Sequence, residues 1–293
     1  MLYAGGVTLD EPVYGVIGDP LDFTLSPRLH NAALLACGLP GHYRQLRVPP
    51  QALPAAIQAL RDVGRGGYNV TMPHKVAVIP LLDTLTPLAR ETGAVNTVYW
   101  QGDQLCGDNT DVGGFQACVG GVFPSGSECL LLGSGGAARA VALALRELGA
   151  RAVYLVARNL DKATRLRAEL LPGVPGHVVF WEDVTTLESL APRCDWVVNA
   201  TPVGADGFTS PLSARVLAAF PETAVVNDLI YGQFESLMLL AARGRGLKAL
   251  NGLPMLMEQA ALAFTRFTGQ PAPRADMWRA VAHDDGSRWG LRQ

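Results

Sequence analysis

The sequence predicts an α/β protein with two α/β domains, the first of them carrying a mainly parallel sheet. Three observations support this. The 293 residues exceed what one compact core usually spans. Strand-like and helix-like segments alternate in two series, before residue 111 and again after residue 128, a pattern typical of parallel sheets with right-handed crossovers. In the second series, a glycine-rich turn joins a strand to a helix.

The first series predicts a β-α-β-α-β order followed by a hairpin. Its strands are expected at 13–18, 42–48 and 68–71, and its helices at 27–37 and 50–64. Ser26 and Pro27 favour a helix start with serine as the N-cap and proline at the first helical position. Two further strands, 94–100 and 104–109, predict a hairpin turned by Gly102-Asp103.

The second series repeats the alternation. Strands are expected at 128–133, 152–158, 177–181, 195–201 and 224–231, and helices at 133–149 and 162–171. A last helix is expected at 253–269, with Met255, Met257, Leu262, Phe264 and Phe267 packing in a core. We therefore expect residues 1–111 with 255–293 to form a substrate-binding, catalytic domain, and residues 112–254 to form a dinucleotide-binding domain.

Composition excludes several classes of function. The net charge is −2 and no basic run occurs, which argues against nucleic-acid binding. No segment reaches the about 18 apolar residues that a membrane span requires, and no secretory signal is visible. Five cysteines without a C-x-x-C spacing argue against a disulfide framework, and no metal site is expected. A reducing cytoplasm fits this composition.

The glycine-rich turn has the form G-x-G-x-x-A at Gly133, Gly135 and Ala138. The first glycine permits a tight turn and the second lets the backbone approach a pyrophosphate, which the following helix N-terminus attracts. Because a strand precedes the turn and a helix follows it, we expect a Rossmann-like dinucleotide-binding domain. The alternative is an ordinary βα turn without a ligand.

The next strand ends at Arg158, where an NAD-binding domain usually carries Asp or Glu. A guanidinium suits the 2′-phosphate of NADP, so NADP is favoured over NAD. The alternative is a solvated surface arginine.

Small polar side chains cluster at the strand ends of the first series: Thr24, Ser26, Asn69, Thr71, Asn96, Asn109 and Thr110. Strand carboxyl ends border the ligand crevice in open parallel sheets, and hydroxyls and amides suit a compact polyhydroxylated molecule. Lys75 and Asp111 stand among them. Beside a nicotinamide, a lysine can exchange a proton with an alcohol or ketone oxygen while a carboxylate orients it.

These segments give the chain a family resemblance. It resembles shikimate dehydrogenases along nearly its whole length, to about residue 270. The similar motifs are YGVIGDPLDFTLSPRLHN (14–31), GYNVTMPHK (67–75), GAVNT (93–97), GDNTD (107–111), GSGGAARA (133–140), NATPVG (199–204), NDLIY (227–231) and the segment 251–264.

The resemblance implies a role for each site residue. Lys75 and Asp111 would be the catalytic pair. Substrate binding would fall to Thr24, Ser26, Asn69, Thr71, Lys75, Asn96, Asp111, Tyr231 and Gln259. Cofactor binding would fall to Gly133, Ser134, Gly135, Gly136, Ala137, Ala157, Arg158, Asn159, Thr201, Leu229 and Gly252. The implied reaction is the NADPH-dependent reduction of 3-dehydroshikimate to shikimate by a monomer or homodimer.

Some positions depart from the family pattern. Phe23-Thr24 replaces the usual His-Ser, at the place where shikimate- and quinate-using relatives differ, and His74 replaces a common phenylalanine. A second hypothesis is therefore a dehydrogenase of quinate, or of both acids, that could use NAD. A third is a sensor that binds a dinucleotide or a cyclic acid without catalysis; Lys75 and Asp111 argue against it.

Overall fold

The computed structural model describes residues 12–21, 23–63, 65–232 and 235–282, and the chain divides into two compact units. The first unit contains the described residues up to Thr110 together with those from Gln259 onward, and the second contains Asp111–Glu258. The sequence-based boundaries were 111/112 and 254/255. The termini of the first predicted domain, 1–11 and 283–293, lie outside the described residues, and the division of roles between the domains stays a prediction.

The first unit contains a mixed sheet of six strands in the order β2-β1-β3-β5-β6-β4. The strands are β1 (Val13–Gly18), β2 (His42–Arg47), β3 (Gly66–Val70), β4 (Thr84–Leu85), β5 (Thr97–Gln101) and β6 (Gln104–Asp108). Strands β2, β1 and β3 are parallel, whereas β5 runs antiparallel to both β3 and β6. The predicted β-α-β-α-β order and the hairpin are confirmed.

Helices of the first unit cover this sheet. They are α1 (Ser26–Ala36), α2 (Leu53–Val63), α3 (Pro87–Thr92) and α11 (Arg274–Ala282). The chain passes from one unit to the other within α4 (Thr110–Val119) and again within α10 (Leu253–Thr268). Apolar side chains of α2, among them Ile57 and Leu60, pack with Ile17 and Tyr68 of the sheet in a buried core.

The predicted N-cap of α1 is wrong by one residue. Leu25 occupies the cap position without a side-chain cap, and Ser26 already lies in the first turn. The Ser26 hydroxyl instead accepts a hydrogen bond from the Thr24 hydroxyl, so these two polar side chains bind each other rather than the helix backbone.

The second unit contains six parallel strands in the order β12-β11-β10-β7-β8-β9. These are β7 (Glu128–Leu132), β8 (Ala152–Ala157), β9 (Val178–Phe180), β10 (Trp196–Asn199), β11 (Val225–Asp228) and β12 (Lys248–Leu250). The order reverses between β7 and β10, as in dinucleotide-binding folds, where ligands bind at the carboxyl edge beside that point. The predicted Rossmann-like fold class is confirmed.

The helices of the second unit are α5 (Gly136–Glu147), α6 (Leu160–Leu170), α7 (Val184–Leu190), α8 (Ala214–Ala219) and α9 (Leu237–Gly244). The sequence predicted α5 and α6 but neither the last three helices nor β12. Within the described ranges, no helix has both the length and the apolar character needed to cross a membrane.

The core face predicted for α10 is only partly right. Met257 and Phe264 are buried, but Leu262 is 37% exposed. Residues two apart on a helix point in nearly opposite directions, so Leu262 and Phe264 cannot both face the same core.

A close contact between β3 and α10 gives a test of this packing. A Cβ added to Gly67 would lie 2.1 Å from Cδ1 of Phe267. We expect Gly67→Ala to lower the free energy of unfolding by about 1–3 kcal/mol through overpacking, measured by urea denaturation.

The double variant Gly67→Ala/Phe267→Leu, which shortens the opposing side chain, should recover part of that loss. Strictly additive effects of the two substitutions would contradict the contact.

Candidate active site

Two hydroxyls lie together at the start of α1, after β1. Thr24 Oγ1 donates to Ser26 Oγ over 3.1 Å and accepts from the Ser26 backbone N–H over 3.2 Å. Thr24 is partly exposed and Ser26 is buried. The structure thus brings together two of the residues that the resemblance assigns to substrate binding.

Asn96 joins several polar segments of the first unit. Its Oδ1 accepts from the Thr110 backbone N–H at 2.7 Å and from Thr97 Oγ1 at 2.9 Å. Its Nδ2 lies 3.0 Å from Thr110 Oγ1 and 3.3 Å from Gln259 Oε1. All four residues are buried. The start of the hairpin, the GDNTD turn and α10 therefore meet at one amide.

Asn69, on β3, is bonded to the same cluster. Its Nδ2 donates to the Asn96 carbonyl oxygen at 3.1 Å and to Thr97 Oγ1 at 3.3 Å. Its Oδ1 accepts from the Tyr43 hydroxyl at 2.8 Å. Sequence reasoning did not name Tyr43 or Thr97 as site residues: Tyr43 was counted only as a strand residue, and Thr97 stood in the GAVNT motif without a role of its own.

The turn after β3 presents Thr71 and Lys75. The Thr71 N–H donates to the Ile17 carbonyl of β1, and the Val95 N–H donates to the Lys75 carbonyl over 2.7 Å. Backbone contacts therefore fix both residues, and both side chains are partly exposed. His74 is buried, and its Nε2 donates to the Val48 carbonyl at 2.6 Å, so this substituted histidine anchors the turn.

Asp111 follows Thr110 directly and is 5% exposed. Since the Thr110 N–H and hydroxyl both bond Asn96, the start of α4 is held in place. The pairing of Lys75 with Asp111 stays a prediction.

The glycine-rich turn of the second unit follows β7. Gly133 has φ +118°, in the region that favours glycine. Gly135 is the N-cap of α5, provides no side-chain cap, and a Cβ added there would meet no atom within 4 Å. Gly136 and Ala137 form the first turn. The helix therefore begins at a backbone position without an obstructing side chain, an arrangement that fits a pyrophosphate.

The segment after β8 carries the predicted adenosine-phosphate residues. Ala157 is buried at the strand end, whereas Arg158 and Asn159 are exposed. Asn159 caps α6, because its Oδ1 accepts from the Lys162 N–H over 2.9 Å. This bond uses Oδ1, so the Asn159 amide protons stay available. They lie with the Arg158 guanidinium at the N-terminus of α6, and such a group of donors suits a phosphate.

A buried aspartate organises the carboxyl edge beyond β10 and β11. Asp228 Oδ1 accepts from Asn199 Nδ2 at 2.9 Å and from the Ile230 N–H at 3.1 Å, and its Oδ2 accepts from Ser236 Oγ at 2.6 Å. Thr201 Oγ1 donates to Asn199 Oδ1 at 2.7 Å. Burial raises the pKa of Asp228 to about 6, against the lowering effect of these hydrogen bonds.

Leu229 and Gly252 approach each other closely in the same region. A Cβ added to Gly252 would lie 2.0 Å from the Leu229 carbonyl oxygen, and the Gly252 N–H donates to the Ile230 carbonyl. Only glycine permits this backbone contact. Tyr231 follows and is partly exposed.

A cavity of about 680 Å³ lies elsewhere in the first unit, along β4, β5 and β6. Arg266 and Asp108 both line it, and Arg266 Nε contacts the buried Asp108 carboxylate at 2.7 Å. Thr86 Oγ1 donates to the same carboxylate at 2.6 Å. This charge pair is satisfied internally, and no predicted site residue lines the cavity.

The comparisons with known proteins match both ends of the chain to one family. Residues 16–98 match the family model described as shikimate dehydrogenase substrate binding domain, and residues 252–282 match that of the shikimate 5'-dehydrogenase C-terminal domain. A shikimate dehydrogenase (NADP(+)) from Thermosynechococcus vestitus is 42% identical over 91% of this chain and 93% of its own. The chain belongs to the shikimate dehydrogenase family.

Solved structures agree. A shikimate dehydrogenase from Aquifex aeolicus superposes with a TM-score of 0.84 at 33% identity, covering 94% of this chain and 99% of that one. A shikimate 5-dehydrogenase from Thermus thermophilus, solved in complex with NADP(H) and shikimate, gives 0.80 at 38% identity, covering 93% and 99%. The family resemblance seen in the sequence is confirmed.

Across the described part of the chain, no group of three His, Cys, Asp or Glu residues could hold a metal ion.

All five cysteines are free thiols. Burial raises the pKa of Cys129 well above its usual value and that of Cys194 to about 12, so both remain protonated.

The raised pKa of Asp228 predicts a pH dependence of stability. The unfolded carboxyl titrates near 3.8 and the folded one near 6, so the folded state holds the proton more tightly. The contribution of this group is largest below pH 3.8 and falls as the pH rises to about 6, by about 3 kcal/mol in total. Asparagine is a neutral isostere of aspartate, so the stability of Asp228→Asn should not fall in this way over that pH range.

Urea denaturation between pH 4.5 and 7.5 measures the effect. The stability of Asp228→Asn relative to the unmodified chain should increase with pH and level off above about 6.5. As a control, Asp206→Asn should run parallel to the unmodified chain above about pH 5, because the pKa of Asp206 is lowered. Parallel curves for Asp228→Asn as well would contradict the assignment.

Proposed function

We propose that this protein is an NADP-dependent shikimate dehydrogenase, which reversibly reduces 3-dehydroshikimate to shikimate with NADPH. The observation that carries the proposal is family membership along nearly the whole chain, with the polar residues of the family motifs retained. The buried cluster around Asn96 supports it, since hydroxyl and amide groups at a sheet edge suit a polyhydroxylated ring acid. The reaction belongs to aromatic amino acid biosynthesis through chorismate.

Lys75 is the proposed general acid and base, with Asp111 as its partner carboxylate. The cofactor supplies or accepts the hydride. In reduction, Lys75 Nζ donates a proton to the substrate carbonyl oxygen as negative charge develops there; in oxidation it takes the proton from the hydroxyl. Asp111 orients the ammonium group and a substrate hydroxyl, which contributes to rate through positioning.

The substrate contacts follow from the same resemblance. The hydroxyls of Thr24 and Ser26 hold the carboxylate. Ring hydroxyls are proposed to meet Thr71, Asn96, Asp111 and Gln259, with Tyr231 near both substrate and nicotinamide. The mutual hydrogen bond of Thr24 and Ser26 supports the first assignment, because two adjacent hydroxyls can both turn toward one carboxylate.

The cofactor contacts lie on the second unit. Backbone N–H groups from Gly133 to Ala137, including Ser134 and Gly136, are proposed to bind the pyrophosphate. The side chains of Arg158 and Asn159, beside Ala157, are proposed to bind the 2′-phosphate. Thr201, Leu229 and Gly252 would border the nicotinamide half.

Thr24 is the residue that makes quinate a second candidate substrate beside shikimate. It keeps the hydroxyl of the usual serine but adds a methyl group at the carboxylate end, where shikimate and quinate users differ. Steady-state assays with shikimate and quinate, each against NADP⁺ and NAD⁺, separate the two. We expect the highest kcat/KM with shikimate and NADP⁺. A higher kcat/KM with quinate and NAD⁺ would overturn the proposal, and turnover of neither acid would leave the sensor hypothesis.

The cellular compartment and the oligomeric state are also part of the proposal. Five free thiols without a disulfide among them suit a reducing cytoplasm. A monomer or homodimer is expected, which light scattering after gel filtration measures.

Lys75→Ala tests the catalytic assignment. We expect kcat to fall by about 10²–10⁴-fold, the usual contribution of a general acid or base, while the Kd for shikimate stays within about tenfold because other groups hold the ring. Lys248→Ala, at an exposed lysine of β12, is the matched control and should keep full activity. Unchanged turnover in Lys75→Ala would remove this lysine from the mechanism.

Arg158→Ala tests the cofactor assignment. Loss of charge-assisted hydrogen bonds to the 2′-phosphate should raise the KM for NADPH by about 10–100-fold and leave the KM for NADH nearly unchanged. The control is Arg215→Ala, at an exposed arginine paired with Glu188. Equal effects on NADPH and NADH would show that Arg158 does not bind the phosphate.

A further inference from the structure

We propose that Tyr43 is a positioning residue for substrate binding: its hydroxyl fixes the amide of Asn69, which with Thr97 sets the orientation of the Asn96 amide. The three-residue chain Tyr43–Asn69–Thr97 is called the relay. The inference rests on the proposed function, in which Asn96 and Gln259 contact the ring hydroxyls of shikimate.

The first link is a rigid tyrosine. Tyr43 lies on β2 and is 1% exposed. Its ring stacks on the imidazole of His30 with centroids 4.3 Å apart and planes within 4° of parallel. Its backbone N–H and carbonyl are both hydrogen-bonded to the side chain of Asn31, at 2.8 and 3.0 Å. The tyrosine is therefore held at the ring and at the backbone by successive residues of α1.

The ring of Tyr43 reaches across a strand. β1 lies between β2 and β3, and Tyr43 pairs with Tyr14 while Asn69 pairs with Val16. Residues two apart on a strand face the same side of a sheet, so the phenol can span β1 on that side. Its hydroxyl ends 2.8 Å from Asn69 Oδ1, which a shorter side chain could not reach.

His30 packs against this tyrosine without competing for the bond. It is 1% exposed, and burial lowers the pKa of its imidazole to about 3. The neighbouring Asn69 side chain opposes this lowering of the pKa, although no partner meets hydrogen-bond geometry at either ring nitrogen in the described structure. A neutral, buried imidazole here fixes the plane of the phenol and leaves the hydroxyl to Asn69.

The second link is an amide with no spare donor. The backbone carbonyl oxygen of Asn96 can only accept a hydrogen bond. The Asn69 Nδ2, which lies 3.1 Å away, must therefore donate to it. The other Nδ2 proton points to Thr97 Oγ1 at 3.3 Å. Oδ1 is then left to face Tyr43. Both amide protons of Asn69 are used within the protein, so Asn69 forms part of the relay, and its direct contact with substrate stays a prediction.

The third link sets Asn96. Thr97 is fully buried; its Oγ1 accepts from Asn69 and donates to Asn96 Oδ1 over 2.9 Å. The Thr110 N–H binds the same oxygen at 2.7 Å. With Oδ1 held by these donors, the Asn96 Nδ2 faces the other way, toward Thr110 Oγ1 at 3.0 Å and Gln259 Oε1 at 3.3 Å. A break in the relay weakens the support of the Asn96 amide, which Thr110 still holds, without removing any group assigned to the substrate.

Tyr43→Phe tests the relay, because it deletes one hydroxyl and keeps the ring stacked on His30. We expect the KM for shikimate to rise about five- to twentyfold, the size of one lost buried hydrogen bond. The KM for NADP⁺ should stay within about twofold, since the relay lies wholly in the first unit. Tyr68→Phe is the matched control: it removes a buried hydroxyl next to Asn69 on β3, but from the opposite face of the sheet.

A pair of substitutions at Thr97 gives a second test that does not depend on Tyr43→Phe folding well. Thr97→Val removes the hydroxyl with little change of shape and should raise the KM for shikimate as Tyr43→Phe does. Thr97→Ser restores a hydroxyl and should return the KM to within about twofold of the unmodified chain. The double variant Tyr43→Phe/Thr97→Val should be less than additive, because both break one chain of bonds.

The outcomes separate this inference from the proposed function. If the unmodified chain turns over shikimate but Tyr43→Phe and Thr97→Val both leave its KM unchanged, or if Tyr68→Phe raises it equally, the relay is wrong and the function stands. If Thr97→Ser fails to rescue, the hydroxyl of Thr97 has no role in the relay. Absence of any shikimate turnover or binding in the unmodified chain would overturn the proposed function itself.

Discussion

The buried amide of Asn96 is the constraint on which the candidate substrate site depends. A buried amide left without partners costs about 1–3 kcal/mol per lost bond, so the segments around it must stay in register. Thr97, Thr110 and Gln259 come from a strand, a helix start and the middle of a long helix, and each is bonded to this one side chain. The polar edge of the first unit is therefore preorganised by its own hydrogen bonds before any ligand binds.

The candidate ligand edge of the second unit is organised by glycine backbone and by one buried carboxylate. The turn proposed to bind the pyrophosphate depends on two glycines: Gly133 has φ +118° and packs closely against Ala200, and a Cβ added to Gly135 would meet no atom within 4 Å. The edge proposed to border the nicotinamide contains Asp228, whose carboxylate joins the end of β10 and the segment after β11 to the start of α9. Both units thus place their candidate ligand groups at strand carboxyl ends, where parallel sheets leave a crevice.

The sequence predicted most of what depends on local pattern. Strands, the hairpin and the glycine-rich turn follow from apolar periodicity and from glycine positions, and the structure contains them. It could not predict the N-cap of α1, because Ser26 bonds Thr24 and this choice depends on tertiary contacts. It also missed Tyr43, Thr97 and Asp228, which look like ordinary strand residues until the sheet order brings their partners close. Periodicity likewise could not decide which of Leu262 and Phe264 faces the core.

Hydrogen exchange followed by mass spectrometry tests most directly whether the two ligands use these two edges. With shikimate alone, we expect protection of the segments 69–75, 94–97 and 108–111 around Asn96. With NADP⁺ alone, protection should appear at 133–138, 157–162 and 228–231. Shikimate that protected only the glycine-rich turn, or that left 69–75 and 94–97 unchanged at saturating concentration, would contradict the account.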